Sequence, residues 1–298
     1  MSGHEPDARA GDFGASSAGR VDTEVPDAVE SGPRGTRFSE IRRFSSLDST
    51  NRYLLDVARR RPQPGLVVVA DHQSAGRGRL GRSWEAPPGA NVLASVLLVP
   101  SLPVDQLHLC SAAVSLAAAE ACAAATGVTV SLKWPNDLVV GERKLAGVLA
   151  ETVPLSGGEA DQRASRAVVV GVGMNVGWPP PDDADGTASV PDELRASATS
   201  LVRETGRHVA PAHLLSRFLL ALEPKVDALD DVSGRLRVAH EYRSRCDTVG
   251  RRVRVVLADG EISGTATDVT AEGHLLVDVG ACIVTVTAGD VVHVRGAG

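Results

Sequence analysis

The segment GRGRLGRSW, residues 76–84, alternates three arginines with three glycines, directly after the apolar run LVVVA (66–70) and the polar bridge DHQS (71–74). Glycine lets backbone N–H groups come close to a bound group, and arginine offers a planar fork matched to phosphate oxygens. Each charge-assisted hydrogen bond of this kind contributes about 1.5–3 kcal/mol when partly desolvated. A loop so rich in glycine is expected to move when empty and to order around an anion. By composition alone three readings stay open: a solvated basic loop, a nucleic-acid contact, or a cradle for phosphate on a small ligand.

Three further segments carry residue types suited to chemistry. KWPND (133–137) closes a predicted strand, where open sheets place ligands. Pro135 fixes its backbone, and Asn136 and Asp137 can end the strand and orient neighbours. A carboxylate beside phosphate repels it unless Mg²⁺ or an arginine intervenes. RKLAGVLAE (143–151) puts Lys144 at the start of a strand with no acidic residue near it on its own face, which in isolation reads as a surface lysine. VVVGVGMNVGW (168–178) has GxGxxxG spacing after a strand, yet no predicted helix follows. Close packing against a flat ligand or a neighbouring strand fits it better than a dinucleotide site. No GxxxxGK[ST] motif is present, and neither the eight histidines nor Cys110, Cys122, Cys246 and Cys282 fall at metal-ligand spacing. Reduced thiols are therefore expected.

These segments need a scaffold, and the hydrophobic patterning supplies one. SLDSTNRYLLDVARR (46–60) predicts a helix capped by Asp48 or Ser49, with Tyr53, Leu54, Val57 and Ala58 at helical spacing. Strands are predicted at 66–70, 91–100, 128–134 and 167–176, and a strand–turn–strand over 137–153 around Gly141-Glu142. Residues 105–126 predict a long alanine-rich helix packed against a sheet; Glu120 interrupts it, and it falls short of a membrane span. Residues 157–166 read as a polar hairpin loop, 178–193 as a long loop and lid candidate, and 193–206 and 211–229 as helices. From Val249 short alternating runs, broken at Asp259-Gly260, Glu272-Gly273 and Gly280, predict a five-strand meander closing as a small barrel packed on the larger domain. The division is thus 1–38 without order, 39–246 as the main domain and 247–298 as the barrel.

At 298 residues the chain is long enough for that pair of domains, and 43% apolar residues is ordinary for a globular protein. A net charge of −6 argues against a general binder of nucleic acid or anionic membrane. The N-terminus lacks a basic region followed by an apolar core, so no signal peptide is expected.

Taken in order, DSTN (48–51), HQSAGRGRLGRSW (72–84), GANVLASV (89–96), KWPND (133–137), RKLAGVLAE (143–151) and GVGMNV (171–176) resemble the biotin–protein ligases. The resemblance runs through essentially the whole chain after residue 38, terminal barrel included. Family members with a repressor function carry an N-terminal winged helix-turn-helix, and residues 1–38 lack its apolar spacing, so the monofunctional class is implied. The resemblance implies an α+β fold: a mixed, largely antiparallel central sheet flanked by helices, like class II aminoacyl-tRNA synthetases and biotin–lipoate ligases, with a C-terminal SH3-like β-barrel. It implies activation of biotin by MgATP to biotinyl-5′-AMP. Transfer then follows to one lysine of the biotin carboxyl carrier domain of an acetyl-CoA, acyl-CoA or pyruvate carboxylase. The setting it implies is cytoplasmic, without DNA or membrane.

Carried over residue by residue, Lys144 and Arg79 become catalytic, with Lys144 bridging the biotin carboxylate and the α-phosphate. Arg77 and Arg79 form the phosphate clamp, with Arg82 and Trp84 supporting or stacking near the nucleotide. Ser49, Thr50 and Gln73 meet the ureido ring or the valerate chain, and Gly76 approaches closely. Gly147, Leu149, Gly171 and Gly173 lie along the valerate chain. Asn136 and Asp137 sit near ATP or its metal, Asp137 being the one candidate metal contact, Asn175 is near the adenine, and Lys133 is supportive. Lipoate–protein ligation on the same fold, a nucleic-acid-binding module and an adenylate sensor without transfer activity are the competing readings.

Overall fold

The computed structural model describes residues 24–155, 166–182, 190–257 and 260–294. In chain order its first elements are strands β1 (Ala28–Ser31) and β2 (Glu40–Leu47), helix α1 (Thr50–Arg60), strands β3 (Val67–Gln73) and β4 (Val92–Leu98), and helix α2 (His108–Thr126). Strands β5 (Ser131–Lys133), β6 (Asp137–Val140), β7 (Arg143–Pro154) and β8 (Arg166–Met174) follow, then helices α3 (Asp192–Ser197), α4 (Leu201–Thr205), α5 (Pro211–Asp227) and α6 (Val232–Ser244). The last strands are β9 (Arg252–Leu257), β10 (Gly260–Val269), β11 (Leu275–Asp278), β12 (Ile283–Val286) and β13 (Asp290–His293).

Strands β1 to β8 form one sheet in the order β1-β2-β3-β4-β8-β7-β6-β5. Only the β2–β3 pair is parallel, because α1 makes the crossover between them; every other neighbour is antiparallel. The result is the expected α+β architecture with a mixed central sheet. Helix α2 covers one face. Its small side chains, among them the fully buried Ala113, Ala117 and Ala118, bring its backbone close to the sheet and to α5 and α6. By length and composition Val104–Thr126 is long enough to cross a membrane, but 72% of its most apolar window is buried inside the fold. The alanines that raise its hydropathy are packing residues.

Helix α1 covers only half of the other face. Leu54, Leu55 and Ala58 pack on Val68, Leu97, Val153, Ala167 and Val169. Beyond the α1 N-terminus the same face continues as Ser95, Leu149 and Gly171, then Leu93, Gly147 and Gly173, which are cross-strand neighbours in β4, β7 and β8. Strand alternation places them all on one side. That uncovered, glycine-lined half is the floor of the site.

The C-terminal strands form a five-stranded antiparallel sheet in the order β12-β11-β10-β9-β13. The last strand returns across the first, so the connection is not a simple meander. This unit is seated on the larger sheet by backbone bonds from Leu132 to Arg245 and from Asp247 to Leu132, and by the Trp134 indole donating to the Gly273 carbonyl at 2.9 Å.

Several expectations need correction. Residues 24–38 have structure: β1 pairs with β2, Phe38 is fully buried, and Arg37 bonds Glu223 and Asp227 of α5. Residues 1–23 lie outside the described residues, as do most of the expected hairpin loop 157–166, the middle of the 178–193 loop and Ala258-Asp259. The predicted strand 128–134 shortens to Ser131–Lys133, and the predicted helix 193–206 breaks into α3 and α4. The break has a cause. Thr199 N–H leaves the helix to donate to the Lys144 carbonyl at 2.9 Å, pinning the start of β7.

Candidate active site

Above the glycine floor lies a cavity of about 700 Å³. Its walls come from the α1 N-terminus (Ser49, Thr50, Asn51), the loop Arg77–Trp84, the Lys133–Asp137 turn, and the β13 residues Asp290, Val291 and Val292. Arg77, Arg79, Arg82, Lys133 and Lys144 face Asp137, Glu193 and Asp290 there, leaving two positive charges in excess in a chain of net charge −6. Field focused in a concave, partly desolvated space of this sign attracts anions.

The loop is folded on itself. Gly78 N–H donates to the Arg82 carbonyl at 2.7 Å and Trp84 N–H to the Gly76 carbonyl at 2.9 Å. Leu80 at its tip has φ 54°, the one non-glycine residue with positive φ among the described residues, and Gly81 follows at φ 75°. A branched side chain held there costs about 1–2 kcal/mol, a local strain of the kind found at ligand clamps.

Arg79 and Lys133 are the two cavity cations without a carboxylate at ion-pair distance among the described residues. Burial pushes the Arg79 guanidinium below the ordinary value, and the charges of Asp290 and Asp137 oppose that only in part. Among the described residues its hydrogen-bond acceptor is Asn136 Oδ1 at 3.5 Å. A half-buried cation so placed is chemically suited to receive an anion. Burial likewise lowers Lys133. Arg82 pairs with Asp290 of the C-terminal sheet at the rim.

Lys144 does have an acidic partner, contrary to the sequence expectation: its Nζ lies 2.7 Å from Asp137 Oδ1 across the β6–β7 hairpin. The irregularity in that pairing at Leu138/Val139 shifts the register there. The ammonium also stands 5.3 Å from the Trp84 ring centroid, within cation–π range. The indole lies flat on the floor: a Cβ at Gly173 would come within 2.5 Å of Trp84 Cε2, and one at Gly147 within 2.9 Å of Trp84 Cζ3. Any side chain at either position would lift the ring.

At the α1 end, Thr50 donates through its N–H (2.8 Å) and hydroxyl (3.0 Å) to Gln73 Oε1. The buried Ser95 hydroxyl lies 2.7 Å from both Thr50 Oγ1 and Asn51 Oδ1. Asn51 Nδ2 donates to the Leu149 carbonyl (3.1 Å) and to Glu151 Oε2 (2.9 Å). A Cβ on Gly171 would run into Asn51 Oδ1, so this strand needs a glycine for the relay to form.

Of the residues expected at the site, Ser49, Thr50, Gln73, Arg77, Arg79, Arg82, Trp84, Lys133, Asn136, Asp137, Lys144, Gly147, Leu149, Gly171 and Gly173 line this one cavity. Two do not. Gly76 packs against the Trp84 carbonyl and closes the loop base. Asn175 is 4% exposed and donates to the Thr199 and Lys144 carbonyls, so it braces β7 from behind. Sequence reasoning overlooked Asn51, Ser95, Glu151 and Asp290. A serine inside the otherwise apolar VLASVLL was a readable signal for Ser95. Asp290 gave none, because only the tertiary fold brings β13 to the cavity. Beside the 178–193 loop, Glu193 and Ser197 of α3 also reach the cavity.

Residues 44–175 match the Biotin/lipoate A/B protein ligase family, and residues 248–294 match the Biotin protein ligase C terminal domain. The chain is 37% identical over 236 residues to a biotin–[acetyl-CoA-carboxylase] ligase of Mycobacterium tuberculosis, covering 78% of this chain and 80% of that protein. It is 29% identical to the bifunctional ligase/repressor BirA of Escherichia coli, over 78% of this chain and 67% of that one. Among solved structures, the biotin protein ligase of Aquifex aeolicus in complex with biotin and ATP superposes with a TM-score of 0.67 at 25% identity, over 86% of this chain and 99% of that one.

Proposed function

The chain belongs to the biotin protein ligase family, and from that premise we propose how its cavity activates biotin with ATP and passes the biotinyl group to a carrier lysine. A carboxylate is a poor electrophile and must first become a mixed anhydride. One biotin carboxylate oxygen bonds to the α-phosphorus of ATP, the bond to the β-phosphate oxygen breaks, and pyrophosphate leaves. The ε-amino group of the acceptor then attacks the carbonyl carbon, AMP leaves, and the amine proton is released.

Lys144 is assigned to the junction of carboxylate and α-phosphate, where its charge offsets what develops on the phosphorus oxygens. Arg77 and Arg79 close over the phosphate from the loop. Ser49, Thr50 and Gln73 take the ureido ring. The floor of Gly147, Leu149, Gly171 and Gly173 takes the valerate chain, which requires the Trp84 indole, resting on Gly147 and Gly173 in the free protein, to lift. Asn136, which lines the cavity and touches Arg79 at 3.5 Å, is assigned with Asp137 to the side of ATP or its metal. Lys144 carries Asp137 as its partner in the free protein, so the incoming carboxylate displaces or shares that ion pair. Packed around the adenylate, these groups exclude water until the acceptor arrives.

Mg²⁺ fits as a companion of the nucleotide. Among the described residues no three acidic, histidine or cysteine side chains gather as a metal site. Mg²⁺ commonly binds one or two carboxylates plus substrate phosphates, and Asp137 offers one in the cavity. When bound, it supplies positive charge to the triphosphate. The acceptor assigned here is the carrier domain of an acetyl-CoA, acyl-CoA or pyruvate carboxylase. The setting is cytoplasmic, with no DNA or membrane partner, and the type is monofunctional.

One observation carries this reading: Arg79 and Lys144, from separate elements, open into the same glycine-floored cavity. Exchange of labelled pyrophosphate into ATP tests it. Exchange is expected to require biotin, and lipoate is expected neither to support it nor to compete. Exchange supported equally by lipoate, or none with biotin, would overturn it.

A further inference from the structure

Glu151 ends the RKLAGVLAE segment and has no part in the scheme above. It sits on the cavity side of β7, two residues beyond Leu149, with its side chain 20% exposed, but it does not line the cavity. Its two oxygens are divided. Oε1 meets Arg77 Nη2 at 2.9 Å, and Oε2 accepts from Asn51 Nδ2 at 2.9 Å. Through Asn51 the carboxylate joins the Ser95–Thr50–Gln73 relay, and through Arg77 it holds the glycine–arginine loop beside it.

The loop has few other ties of comparable quality. Between Gly76 and Trp84, apart from the Ser83 hydroxyl bond to nearby Glu85 and the Lys144–Trp84 cation–π contact, the side-chain polar ties to the rest of the molecule among the described residues are three: Arg77 to Glu151, Arg79 to Asn136 at 3.5 Å, and Arg82 to Asp290. The Asn136 contact is at the limit of a hydrogen bond, and Arg82 is 69% exposed, where ion pairs contribute little. Both carboxylates are sheltered, but Arg77 at 48% exposed is less solvated than Arg82, so its ion pair with Glu151 is the less screened of the two.

We propose that Glu151 is a positioning residue for the ligase reaction, a two-armed carboxylate that fixes the glycine–arginine loop and the ureido-binding relay relative to each other. This rests on the proposed function for its kinetic consequences, but not for the anchoring itself. Glu151→Ala frees Arg77 and removes one of the two acceptors of Asn51 Nδ2. Glu151→Gln keeps an acceptor for Asn51 while giving Arg77 only a neutral partner.

Two measurements separate the layers. In ligand-free protein, limited tryptic cleavage at Arg77, Arg79 and Arg82 is expected to be about tenfold faster in Glu151→Ala, with thermal melting close to wild type. Unchanged cleavage overturns the inference whatever the protein catalyses. In turnover, the biotin KM is expected to rise and the enzyme-bound adenylate to escape about tenfold faster, while the KM for ATP stays put. Glu151→Gln is expected to recover most of the biotin KM and little of the adenylate retention. Wild-type kinetics in Glu151→Ala, or a uniform loss that tracks a lowered melting temperature, contradicts the positioning role. Wild-type protein that makes no adenylate would overturn the function and leave the cleavage result standing.

Discussion

Arg79 shows how one residue type can be legible while its circumstances are not. Three arginines among glycines at the end of a strand left a solvated loop, a nucleic-acid contact and a phosphate cradle all open, and they, like the lone lysine at 144, gained meaning only from the motif order around them. That Arg79 is half-buried with no carboxylate at ion-pair distance among the described residues, while Lys144 is held by Asp137, depends on the packing of the loop and on an irregular strand pairing. Sequence spacing cannot express either. The asymmetry gives a prediction. Arg79 packs in a surface loop and supports no core, so Arg79→Gly is expected to fold normally, form adenylate, and release it to solvent before transfer. Adenylate recovered in the filtrate after rapid ultrafiltration, with an undiminished melting temperature, is the expected result. Retention and transfer at wild-type efficiency would remove Arg79 from the clamp.

Elements followed the same division. Helix α1 was readable from its hydrophobic period, and strands β3, β4 and β8 and helix α2 from continuous apolar or alanine-rich runs. Strand β2 was missed: it buries Ile41, Phe44 and Leu47, a three-residue spacing that mimics a helix. Strand β1 buries almost nothing and owes its order to edge pairing, and α6 hides only Gly234, Val238 and Tyr242 along a charged surface. Strand β13 carries a titration that no sequence pattern signals. Burial first, then the charges of Lys133 and Arg251, depress His293 from 6.5 to about 4, with Asp247 and Glu142 opposing. Above pH 6.5 the folded and unfolded chains both carry this histidine neutral. As pH falls toward 4 the unfolded chain takes the proton first, so stability is lost across that window and the loss levels off below it. His293→Gln is expected to flatten the decline of melting temperature between those limits. A decline of unchanged steepness would mean that other groups set it.

Across the whole molecule, an acidic chain concentrates positive charge in one cavity whose wall is completed by the C-terminal sheet. Asp290 ties that sheet to the loop through Arg82, and Trp134 ties the KWPND turn to it through Gly273. The resemblance anticipated the α+β class and the two-sheet plan; the contact of β13 with the cavity came only from the fold. The central claim is that this cavity makes an acyl-adenylate of biotin and gives the biotinyl group to a protein lysine. The most direct measurement is intact-mass spectrometry of a biotin carboxyl carrier domain incubated with the protein, biotin and MgATP. The account predicts one added biotinyl group on the carrier lysine, dependent on ATP and absent with Lys144→Ala. A carrier domain of unaltered mass in the complete mixture, or modification that persists without Lys144, would contradict it.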